Sequence, residues 1–170
     1  MTQHKDWKIL NWNVRGVNSD KKWNSIREKI IESKSEIICL RKTKKRELWQ
    51  QLHQKLLPPD FDAFQFLPSI GASGGILVAW KSAAFSGNLV FSNNFALSIE
   101  FTSKLSNDTW ILTTFYAPCT LSGKIEFLEW FGEIDMPHDI DWLVVGDFNL
   151  IRRPKDRNKE GAGPNEMFAF

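Results

Sequence analysis

The sequence predicts an α/β domain of layered architecture with two sheets. Over residues 7–57 the segments alternate strand, helix, strand, helix, which is how an α/β layer begins. From residue 61 to residue 116 the character changes to five strand-like runs joined by Gly, Ser, Asn and Asp, a mostly antiparallel meander that asks for a second sheet. With 170 residues the chain is one domain's worth and long enough for a substantial core. No internal repeat, linker or low-complexity stretch divides it.

Residues 1–6 read as a frayed terminus. Trp7–Val14 is a first strand carrying Asn11 and Asn13 toward its far end, and Arg15-Gly16-Val17-Asn18 turns the chain. Ser19 or Asp20 caps a helix over about 21–34, with Trp23, Ile26 and Ile30 at helical spacing. Glu36–Leu40 is a short buried strand that runs directly into Arg41-Lys42-Thr43-Lys44-Lys45-Arg46. A second helix follows at about 46–57, with Leu48, Leu52 and Leu56 on one face, stopped by Pro58-Pro59.

The meander reads as strands at 61–66, 75–80, 89–91, 96–101 and 110–116, with hairpin chemistry in Ser106-Asn107-Asp108. Gly71-Ala72-Ser73-Gly74-Gly75 precedes a strand and lacks the Gly-Lys-Ser/Thr ending, so it is a turn and not a phosphate-binding loop. Ser122 caps a third helix over about 122–134 with Ile125, Leu128 and Phe131 inward.

Four apolar residues, Trp142–Val145, then read as a buried strand delivering Gly146-Asp147-Phe148-Asn149 at its carboxyl end. That is where open α/β sheets place ligands. Continued extension puts Asp147 and Asn149 on one face and Phe148 on the other; the alternative is an Asx turn closing the strand. A basic loop and the turn Gly161-Ala162-Gly163-Pro164 follow, and 165–170 looks like the start of an interrupted helix.

The formal net charge of +2 excludes nothing, but its distribution is uneven. Residues 41–46 hold five positive charges in six, and 152–159 hold five positive and one negative in eight. Such runs suit a phosphate backbone or an import receptor, or are solvated loops. The eight Trp and thirteen Phe are read as core packing. Cys39 and Cys119 have no metal-ligand spacing, and His4, His53 and His138 are scattered, which argues against zinc. With no signal peptide or long apolar span, the chain is expected to be intracellular and not membrane-bound.

Taken together, Asn-Trp-Asn-Val-Arg-Gly-Val-Asn at 11–18, Ile-Ile-Cys-Leu-Arg-Lys-Thr-Lys at 37–44, Ser-Gly-Gly-Ile-Leu-Val-Ala-Trp at 73–80, Thr-Phe-Tyr-Ala-Pro at 114–118 and Val-Val-Gly-Asp-Phe-Asn at 144–149 resemble successive motifs of the endonuclease/exonuclease/phosphatase superfamily. They look most like the apurinic-type endonuclease domain of plant non-LTR (LINE-type) retrotransposon polyproteins. Superfamily phosphatases share the core; the forms at 14–18 and 73–80 favour the nuclease branch. The resemblance covers nearly all of this chain and about the first two-thirds of that domain. It implies a four-layer α/β/β/α sandwich, here C-terminally truncated, with one partial domain over 1–170.

The resemblance also implies a magnesium-dependent phosphodiesterase acting on DNA, nuclear if functional, with a reverse transcriptase downstream if the reading frame continues. Magnesium takes oxygen ligands and polarises the phosphoryl group while a base orients water. By similarity Asn13 lies in the metal and phosphate shell, Tyr116 contacts the scissile phosphate or orients the nucleophile, Asp147 activates water and Asn149 holds phosphate or the metal shell. Arg41, Lys44, Lys45, Arg152, Arg153 and Arg157 are the expected nucleic-acid contacts.

Two departures oppose activity. The relatives' Gln-Glu-Thr-Lys, with a metal-binding Glu, stands here as Arg41-Lys42-Thr43-Lys44, and the C-terminal Ser-Asp-His motif does not occur in the 170 residues. Cys119 stands where many relatives have Asn, and His138 is a loop residue preceding a strand. The expectation is therefore an impaired endonuclease-like domain that binds magnesium poorly. The alternatives are a non-catalytic nucleic-acid-binding remnant using the two basic loops, and a degenerate copy with no role.

Overall fold

Two parallel strands, β1 (Ile9–Asn13) and β2 (Ile37–Arg41), start one sheet, with α1 (Asp20–Ser33) as their crossover. A computed structural model describes residues 6–44, 49–70 and 73–149. The remaining elements are α2 (Trp49–Leu56), β3 (Ala63–Ile70), β4 (Ser73–Trp80), β5 (Phe85–Ser92), β6 (Ala96–Ser103), β7 (Thr109–Tyr116), α3 (Leu121–Glu133) and β8 (Asp141–Asp147). The first sheet has the order β1-β2-β4-β3 and the second β5-β6-β7-β8. Among the described residues the parallel pairs are β1 with β2 and β7 with β8.

Alternation along β2 sets the layers. Ile38 and Leu40 join Ile26, Ile30, Leu56 and Leu57 under the first two helices, while Ile37 and Cys39 face Phe85, Leu97, Ile99, Phe101 and Leu112 of the second sheet. The far face of that sheet carries Phe95, Ala96 and Phe115 against Phe127 of α3. The result is the four-layer α/β/β/α sandwich. Each large side chain buried this way contributes about 1.5–3 kcal/mol. Arg27 Nη2 donates to the carbonyls of Leu57 (2.6 Å) and Gln54 (3.1 Å), serving the open carboxyl end of α2 and pinning it to α1.

Several boundaries differ from the sequence reading. β3 runs past the expected end at 66 to Ile70 because it is an edge strand, where Pro68 is tolerated; its register passes from Leu67 to Ser69. β5 spans eight residues instead of 89–91, its alternation hidden by a register shift between Leu89 and Phe91. Ser73, Gly74 and Gly75 belong to β4, not to a turn; residues 71–72 lie outside the described residues.

The cap of α3 is Thr120, not Ser122, its side chain accepting from Gly123 N at 3.3 Å. Its inner face is centred on Phe127, and Ile125 is exposed. Ser19 caps α1 by backbone geometry, without a side-chain bond. β8 is an edge strand with Leu143 exposed, not the buried strand its four apolar residues suggest. Leu48 and 150–170, including the expected helix start, lie outside the described residues.

Candidate active site

The carboxyl ends of both parallel pairs meet at one end of the sandwich. Asn13 and Arg41 are register partners at the ends of β1 and β2; Tyr116 and Asp147 are register partners at the ends of β7 and β8. By alternation with Ile37 and Cys39, Arg41 belongs to the face between the sheets, and Tyr116 belongs to the same inter-sheet cluster.

Lys42 joins the two halves. Its Nζ lies 3.8 Å from Asp147 Oδ2 and 4.6 Å from the centre of the Tyr116 ring. The backbone fixes it there. Lys42 has a φ of 56°, in the left-handed region, and its carbonyl accepts from Gly16 N at 2.6 Å. Val14 N donates to Arg41 O, and Thr43 N and Lys44 N donate to the carbonyls of Gly75 and Gly74. These bonds carry the β1-β2-β4 ladder past the strand ends. Gly75 is obligatory: its φ is +85°, and a Cβ there would lie 2.2 Å from Thr43 Oγ1. Arg15, Lys44 and Asn149 also have positive φ, so non-glycine residues in the left-handed region gather at this end.

The Asp147–Asn149 segment closes as an Asx turn. Asn149, at φ 47°, donates its backbone N–H to Asp147 Oδ1 (2.9 Å) and its Nδ2 to Ala117 O (2.6 Å). Ala117 N in turn donates to Asp147 O at 2.9 Å, locking the ends of β7 and β8 together. Phe148 does turn away, onto Phe115 at 4.7 Å and the Phe127–Phe131 cluster. Gly146 accommodates this packing, since a Cβ there would meet the Phe115 ring at 2.5 Å.

Burial pushes the Tyr116 hydroxyl up to about 12, helped by its hydrogen-bonding contact with Cys119 Sγ at 3.3 Å and opposed by Asn149. Tyr116 is therefore a neutral phenol at physiological pH. Burial also lowers the Arg41 pKa, against the opposing pull of Asp147.

Sequence reasoning places Arg41 at the start of the basic run and counts it among the expected nucleic-acid contacts. It is instead the last residue of β2, 7% exposed, with Nε and Nη1 buried and without hydrogen-bond partners. The parity of Ile37, Cys39 and Arg41 is the signal that finds it. Lys44 is exposed; Lys45, Arg152, Arg153 and Arg157 lie outside the described residues. Asn11 is exposed, and His138 lies in an exposed turn before β8, as expected.

Among solved structures, the catalytic domain of human Nocturnin with bound sulfate anion superposes with a TM-score of 0.62 at 17% identity, over 86% of this chain and 64% of that one. AP endonuclease LMAP from Leishmania major gives 0.60 at 16%, over 91% and 59%. D. rerio TDP2, complexed with single strand DNA product, gives 0.57 at 16%, over 84% and 60%. The fold is that of the endonuclease/exonuclease/phosphatase proteins. The chain spans less than two thirds of the length of these endonuclease/exonuclease/phosphatase structures. No protein-family model and no curated protein matches the sequence.

The residues at this end do not fit the magnesium that the endonuclease/exonuclease/phosphatase resemblance implies. Among the described residues Asp147 is the carboxylate at this end, and the buried, unpartnered Asn13 Oδ1 is a neutral oxygen donor. Against them stand Lys42 and Arg41. Two unit positive charges about 4 Å apart repel by about 4 kcal/mol at an effective dielectric near 20. Among the described residues no three His, Cys, Asp or Glu converge as metal ligands. Nor is any helix among them long and apolar enough to cross a membrane.

Proposed function

We propose that this chain is an endonuclease-branch domain, descended from the DNA-nicking enzymes of non-LTR retrotransposons, whose phosphodiester cleavage is disabled at the metal position. The observation that carries the reading is the contact of Lys42 Nζ with Asp147 Oδ2 at 3.8 Å. An ammonium group stands against the one carboxylate that magnesium and water activation would both require. The other oxygen of that carboxylate accepts from Asn149 N. Asp147 thus acts as a structural anchor, while Asn13 and Tyr116 keep their places at the cleft.

The ordered motifs from Asn11 to Asn149 support the nuclease branch. DNA is the proposed partner, since the fold neighbours include an AP endonuclease and TDP2 with a DNA product. Lys44, Lys45, Arg152, Arg153 and Arg157 are the proposed backbone contacts, giving an affinity that falls steeply with salt and has no sequence preference. Under this reading the site of action is nuclear.

A supercoiled-plasmid assay in magnesium tests the reading. The expected result is no nicking above that of Asp147→Ala. Robust nicking that Asp147→Ala abolishes overturns it.

A further inference from the structure

Among the described residues, this end of the sandwich carries one buried cation, Arg41, and one half-buried cation, Lys42, for one carboxylate. Both answer to the carboxylate of Asp147, Lys42 by contact at 3.8 Å and Arg41 electrostatically. Neither cation is saturated with hydrogen bonds. Arg41 Nε and Nη1 are buried without partners, and Lys42 Nζ at 3.8 Å from Asp147 is an ion contact too long for a hydrogen bond. Leaving a buried charged donor unmatched costs more than the 1–3 kcal/mol typical of a neutral one. Buried polar groups of this kind mark a bound water or ion.

The chemistry of a fitting partner follows from the donors. A guanidinium offers its N–H groups in a rigid planar fork that matches the oxygens of phosphate, and the ammonium of the next residue adds a compact point charge. Both cations are held in place before any ligand arrives. Arg41 lies within a strand hydrogen-bonded on both sides, and Lys42 is set in the left-handed region with its carbonyl held by Gly16. Little ordering cost therefore remains on binding.

We propose that Arg41 and Lys42 form a phosphoryl-oxyanion site that works without a divalent cation. Lys42 is shared between the anion and Asp147, so the carboxylate limits the affinity and the site releases its ligand readily. The inference rests on the reading of this cleft as phosphate-facing, and the test separates the two.

The experiment titrates inorganic phosphate into the 170-residue chain in EDTA and, separately, in magnesium, by calorimetry. Saturable binding is expected in EDTA, unchanged by magnesium. Lys42→Met should weaken it about tenfold, one charge contact of roughly 1.4 kcal/mol, and Lys42→Glu should abolish it. Asp147→Asn should strengthen it several-fold by freeing Lys42, a gain that no merely structural role produces. Arg41→Gln is expected to lose binding; the Lys42 and Asp147 variants decide the matter if it fails to fold. Binding that appears only with magnesium overturns the inference and leaves a phosphate-facing cleft. Absence of binding under both conditions overturns both.

Discussion

Lys42 and Asp147 come from different sheets and meet at 3.8 Å across the end of the sandwich. The side chains are 22% and 33% exposed, so solvent screens the pair and its stabilising effect is modest. Lys42→Met should therefore lower stability by no more than about 1 kcal/mol, including the contact with the Tyr116 ring. Urea denaturation checks this. A loss of several kcal/mol means that Lys42 holds the sheets together and does not simply occupy a cation's place.

Gly74 and Gly75 separate backbone strain from crowding. Both have positive φ, but a Cβ at Gly74 meets nothing within 4 Å, whereas one at Gly75 strikes Thr43 Oγ1. Gly74→Ala should cost about 1–2 kcal/mol from conformation alone. Gly75→Ala should cost about 1–3 kcal/mol more, by displacing the segment that carries Lys42. Equal losses in thermal unfolding contradict the close approach of β4 to Thr43.

Phe148 is the other anchor of the Asp147 turn. Phe148→Ala removes a half-buried ring packed against Phe115, Phe127 and Phe131, at an expected cost of about 1.5–3 kcal/mol. A much smaller loss means that the Asp147–Asn149 turn is held by its hydrogen bonds alone.

Alkaline pH should unfold the domain through two buried acids. Burial pushes the Cys39 thiol up to about 12 from 9.0, and the Tyr116 phenol up to about 12 from 10.0. Both raised groups are neutral when folded. Their contributions are fully present below the unfolded pKa values and are lost as pH rises from 9.0 for Cys39, and from 10.0 for Tyr116, toward about 12. Cys39→Ala should flatten the fall of melting temperature with pH above 9.0, and Tyr116→Phe above 10.0. An unaltered profile in both variants contradicts the burial account.

The α/β layering with two sheets was legible from strand–helix alternation followed by a meander, and helical spacing found Ile26 and Ile30 on the buried face of α1. The four-layer order came from the resemblance; that Ile37 to Leu40 divide between two cores emerged only in the structure. Strand limits were not legible, since Pro68 and the Leu89–Phe91 irregularity break the local pattern while long-range pairing carries the strands onward. At the site, Asp147 and Tyr116 were legible as strand-end polar groups. The burial of Arg41 was not, because a residue opening a basic run reads as a surface contact for nucleic acid until strand parity places it inside. The Asn149–Ala117 bond joins residues far apart in sequence, so no local pattern announces it.

Magnesium titration tests the central claim that Lys42 takes the place of a divalent cation. Calorimetry on the wild-type chain should show no saturable binding up to roughly 10 mM, a range that a site with one carboxylate and two competing cations does not reach. Lys42→Glu, which supplies a second carboxylate, should create saturable binding. Saturable binding by the wild-type chain that Asp147→Asn removes contradicts the account.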